Sequence, residues 1–122
     1  MLGVSTYSQE YIAQTRARIE ADTASFADLK KPSNGFESVF FNNMVLALDH
    51  YFVHRLRKLE GKDGNPLNEV RVISNSLMEN GGVALSGTKL LGYAAGDEIR
   101  LTAADYERLS KAFLAEIESR YS

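Results

Sequence analysis

The sequence predicts a mainly α domain, a four-helix bundle-like fold with a short extended or β-hairpin excursion before the last helix. Apolar residues recur at helical spacing in four separate segments, and capping residues bracket those segments. Strand-like alternation is confined to Glu98–Leu101, where Ile99 and Leu101 alternate with Glu98 and Arg100. The 122 residues hold enough chain for one core and too little for two ordinary domains, so residues 1–122 read as a single helical domain.

The first helix is expected from about Ser8 to Lys30, with Ile12, Ile19 and Phe26 seven residues apart forming a narrow apolar stripe. Thr6 and Gln9 have the spacing of a capping box. A loop, KKPSNG, follows, because Pro32 disfavours helix in its predecessor and Gly35 relaxes the backbone. Asn34 with Glu37 three positions later then predicts the start of a long second helix that ends near Leu59, just before Gly61. More than half of its circumference is apolar. Phe41, Met44, Leu48, Tyr51, Phe52 and Leu59 share one face, which Phe40, Val45, Ala47 and Leu56 widen.

Asn65 before Pro66 predicts an N-cap followed by proline at the first helical position, and Gly81-Gly82 stops the helix that begins there. It should form an antiparallel hairpin with the second helix about the GKDGNP connection. After the Val83–Leu101 excursion, Thr102 and Asp105 form a capping box, with Leu101 placed to staple onto Tyr106. Tyr106, Leu109, Phe113 and Ile117 give this last helix one buried face.

Composition narrows the chemistry. There are 14 Lys and Arg against 16 Asp and Glu, a net charge of −2, which does not favour nucleic acid as the main partner. The absence of cysteine excludes disulfides, thiolate metal sites, Fe–S clusters and a thiol nucleophile. No apolar run approaches 18 residues and the first ten residues lack the pattern of a secretory signal, so the expectation is a cytoplasmic protein with no membrane association.

Few residues point to a site. His50 and His54, four apart on the expected second helix, could reach one metal ion or a haem with Asp49 or Glu69 as a further ligand. Tyr51 stands where a zinc-protease motif needs glutamate, and no Glu-x-x-His pair is present. No cofactor is therefore predicted. The bland reading places Asn43, His50, His54 and Arg57 along the polar strip of that helix. Arg55 is the anomaly, because helical rotation sets it amid Met44, Leu48, Tyr51, Phe52 and Leu59, and a buried Arg needs a carboxylate. Reversing the chain about GKDGNP brings Glu69 opposite, which predicts an Arg55–Glu69 pair. Such a pair fixes register, or, with Asn43 and Arg57, holds a ligand carboxylate or phosphate.

The stretch LEGKDGNPLNEVR, with FFNNMVLALDHYFVHR before it and GDEIRLTAADYERLSKAFLAEIE after it, resembles a family of small uncharacterised bacterial proteins over Phe36 to about Glu118. The resemblance implies no catalytic residue, cofactor or substrate. The functional expectation is a non-enzymatic homo-oligomeric interaction or regulatory module whose first partner is itself. The dimer is expected because Phe40, Val45, Leu46 and Val53 exceed what one protomer can hide. The alternative is a small ligand, metal or haem binder built on His50, His54, Arg55 and Glu69.

Overall fold

A computed structural model describes residues 3–29 and 35–122. Among these, five helices form: α1 (Gln9–Ala27), α2 (Phe36–Tyr51), α3 (Arg57–Glu60), α4 (Pro66–Glu79) and α5 (Ala103–Tyr121). The mainly helical, bundle-like class is as the sequence predicts. Asn34 and the KKPSNG loop before Gly35 lie outside the described residues.

Three of the helix starts carry side-chain caps. Ser8, not Thr6, caps α1, its Oγ accepting from the Tyr11 amide at 3.0 Å. The Asn65 side chain accepts from the Leu67 and Asn68 amides, and Pro66 opens α4. Thr102 and Asp105 form the reciprocal capping box of α5. Leu101 and Tyr106, the expected staple pair, are both fully buried.

The helix directions follow from their cross-links. Near its start, α2 sends Asn42 to the Ile99 carbonyl, and the Ile99 amide bonds the Gly82 carbonyl just past the end of α4. The far end of α2 meets the start of α4 through Arg55, so the two run antiparallel as expected. Glu37 accepts from the Ala103 amide at one end and Tyr121 donates to the Leu56 carbonyl at the other, which sets α5 parallel to α2. Contact between Arg16 of α1 and Glu118 of α5, together with the bond from the Tyr7 amide to the Tyr121 carbonyl, lays α1 antiparallel to α5.

Phe41, Val45, Leu48 and Phe52 of the α2 region, Leu67, Val70 and Ile73 of α4, and Leu109, Phe113 and Ile117 of α5 are enclosed together. Here α1 is thinner. Only Ile12, Thr15 and Ile19 of it are buried, and small residues at Thr23, Ala24 and Ala27 leave a groove of about 420 Å³ against α5.

The second helix departs from expectation. It ends at Tyr51, eight residues short of Leu59, and the chain turns through Phe52–Leu56 before the one-turn helix α3. Backbone groups here bond the N-terminal strip: the Val4 amide donates to the His54 carbonyl at 2.7 Å and the Leu56 amide to the Val4 carbonyl at 2.8 Å. The Phe52 carbonyl accepts both from the Arg55 amide at 3.1 Å and from Arg55 Nη1 at 3.0 Å. A continuous helix would carry that guanidinium onto an apolar face.

The Val83–Leu101 excursion contains one isolated antiparallel bridge, Val83 to Glu98, and is otherwise a chain of turns. The expected alternation holds, with Ile99 and Leu101 buried and Glu98 and Arg100 exposed.

Candidate functional site: a buried ion cluster beneath a cationic hollow

The turn after α2 carries Arg55 inward, where it is 2% exposed. Its Nε donates to Glu60 Oε1 and its Nη2 to Asp49 Oδ1, both at 2.9 Å, and its guanidinium lies over the Phe113 ring at 5.3 Å. The expected partner, Glu69, is not among its contacts. That pairing assumed two uninterrupted helices reversing about GKDGNP. Once α2 stops at Tyr51, the four residues of α3 deliver Glu60 to the place that Glu69 was expected to fill.

Glu60 is fully enclosed and saturated. Oε1 accepts from Arg55 Nε and from Arg71 Nη2 at 2.6 Å, while Oε2 accepts from Arg71 Nε and Asn68 Nδ2, each at 3.0 Å. Burial alone would raise its pKa. The hydrogen bond from Arg71, the charges of Arg55 and Arg71 and the bond from Asn68 outweigh that and hold the carboxyl below the ordinary glutamate value. Arg71 responds in kind, its own pKa raised chiefly by its hydrogen bond to Glu60.

Loop backbone closes around the same cluster. Gly61 takes φ 77°, a region that favours glycine, as the chain leaves α3. Asn65 Nδ2 donates to the Glu60 carbonyl, Asn68 Nδ2 to the Gly61 carbonyl, and Arg120 Nη1 to the Glu60 carbonyl from α5. The Glu60–Arg71 motif is thus a hydrogen-bonded knot joining α3, α4 and α5 to the end of α2.

Glu69 has a different task. It is 3% exposed, and its two oxygens accept from the Leu90 and Leu91 amides at 2.7 and 2.8 Å, fastening the excursion to α4. Nothing in its sequence neighbourhood signals this role, because the donors are backbone amides 21 and 22 residues away.

The histidines do not stack as expected. His50 sits in the last turn of α2 and His54 lies beyond its end, both exposed, so the shared helical face is lost. Asp49 is taken up by Arg55. Among the described residues, no three His, Asp or Glu side chains stand together as a metal-binding group. Asn43 is exposed and donates to the Val39 carbonyl of its own helix. Arg57 is also exposed, with Nε 4.0 Å from Glu60 Oε1.

The premise of a dimer through α2 changes too. Val45 is fully buried, Phe40 and Leu46 are half-buried, and Val53 alone of the four is exposed, at 40%. No family model matches the chain, and no curated protein and no solved structure matches it. No helix among the described residues is long and apolar enough to cross a membrane.

Proposed function

We propose that the protein is a non-enzymatic interaction module that self-associates as a homodimer, through an apolar face built by Val4, Tyr11 and Val53. One observation carries this reading. These three belong to the large hydrophobic side chains left exposed, and they converge from the N-terminal strip, α1 and the turn after α2 onto one hollow of about 310 Å³. A two-fold contact lets such a patch cover itself. Val53 adjoins the end of α2, which keeps the interface near the helix where the sequence sets it.

The non-enzymatic half of the reading is supported by saturation. Arg55, Glu60 and Glu69, the charged groups buried among the described residues, each spend their hydrogen bonds on protein partners. A cytoplasmic setting and the family resemblance around Leu59–Arg71 belong to the same reading and add no activity to it.

Sedimentation or light scattering of the full chain tests it. At about 100 μM the chain should run as a dimer, and Val53→Asp should return it to monomer with its circular dichroism unchanged. A wild-type chain that stays monomeric at that concentration contradicts the reading.

A further inference from the structure

The turn that ends α2 has a second face, separated from the Val4–Tyr11 hollow by Val53 and His54. Here Gly3, Leu56, Arg57, Lys58 and Arg71 close a hollow of about 360 Å³. His54 and Arg55 also reach its wall, and among the described residues no carboxylate lines it, in a chain whose net charge is −2. We infer that this hollow binds a small phosphate-bearing molecule, with Arg57, Lys58 and the outer edge of Arg71 taking the phosphate.

Charge accounting beneath the hollow supports this. Arg55 and Arg71 are matched by Asp49 and Glu60. The two oxygens of Glu60 already accept two hydrogen bonds each, so Arg57, at 4.0 Å and 62% exposed, adds a cation that Glu60 has no capacity left to satisfy. Lys58, exposed beside it, adds another. Two positive charges therefore exceed the local acids, which suits a phosphate dianion.

The site is also held in shape. Arg71 is locked to Glu60 through Nε and Nη2, which leaves Nη1 for an outside acceptor, and its side chain is 23% exposed. On one side the lining is closely packed backbone: the Val4–Arg55 bridge lies beside Gly3, where a β-carbon would stand 2.6 Å from Leu56 Cα. Val53 and Leu56 give the wall an apolar portion. This size and mixture suit a small molecule. A polynucleotide needs a row of phosphate contacts, and the hollow offers one.

The test is an amide-resolved NMR titration of the full chain with inorganic phosphate and with phenyl phosphate, at constant ionic strength set by chloride. Both should produce saturable shifts at residues 54–58 and at the Arg71 side chain, half-complete at roughly 1 mM. Tighter binding of phenyl phosphate identifies a phosphate ester as the ligand class, and equal binding identifies free phosphate. Because Arg57 and Lys58 are exposed, Arg57→Gln with Lys58→Gln should keep the fold and weaken binding about 10-fold or more. Shifts that fail to saturate, that chloride alone reproduces, or that persist in the double variant overturn the proposal. Should that variant lose its fold, the wild-type titration with its chloride control decides alone.

Discussion

Arg55 and Glu60 form an ion pair, Nε to Oε1 at 2.9 Å, in which both side chains are completely enclosed. Removing Arg55 leaves Glu60 with Arg71 alone, and removing Glu60 leaves Arg55 with Asp49 alone, each in a poorly solvated place. The pair exists because α2 stops early, and it ties the exit of α2 to α3 and, through Arg71, to α4.

Acid should therefore loosen this region. The folded-state pKa of Glu60 lies below its unfolded value. Its contribution is fully present above the unfolded pKa and is lost as pH falls through the folded one. Stability measured by denaturant from pH 6 to pH 3 should decline with falling pH, and Glu60→Gln should flatten that part of the profile while lowering the plateau by about 3 kcal/mol. An unchanged slope in the variant would assign the acid sensitivity to other carboxylates.

Glu69→Gln replaces a two-oxygen acceptor by one oxygen and an amide that faces a donor. The fastening of the excursion at Leu90 and Leu91 should weaken, at a cost of about 1–3 kcal/mol. Hydrogen exchange reads the effect directly. Protection should fall at the Leu90 and Leu91 amides while core amides of α2, such as Leu48, slow or hasten only with global stability.

Gly3→Ala is expected to peel the N-terminal strip from the turn. A β-carbon would meet backbone atoms of Leu56 at 2.6 and 2.8 Å, and backbone cannot swing aside as a side-chain tip can. The amides of Val4 and Leu56 should lose exchange protection, with a stability loss of about 1–3 kcal/mol. Protection at both amides equal to wild type would mean that the strip accommodates the methyl group.

Much of the fold was legible because its signals are local. The Asn65-Pro66 start, the Thr102–Asp105 box and the Ile99/Leu101 alternation each depend on residues a few positions apart, and each stands as expected. Arg55 was legible as a buried charge in need of a carboxylate, and it has two. Its partner was misassigned for a physical reason: periodicity in Phe52–Leu59 resembles helix, whereas the competing bonds to Val4 come from residues about fifty positions earlier. Local pattern carries no trace of them. The same assumed continuity sets His50 and His54 on one face, and Arg57 on the polar strip of the second helix, whereas Arg57 sits in α3 and lines the cationic hollow.

A double-mutant cycle on Arg55 and Glu60, read by denaturant unfolding, tests most directly whether the buried cluster is what organises the motif. Arg55→Met and Glu60→Leu should each cost about 2–3 kcal/mol, since each removes charge-assisted hydrogen bonds from the enclosed cluster while Arg71 still pairs Glu60 in the first variant and Asp49 still pairs Arg55 in the second. The double variant should regain at least about 1 kcal/mol of the summed loss, because the Arg55–Glu60 contact can be lost only once, whereas the unpairing of Asp49 and of Arg71 is common to one single variant and the double and cancels. Losses that simply add, with no coupling between the two positions, would contradict the cluster as the feature that holds α2, α3 and α4 together.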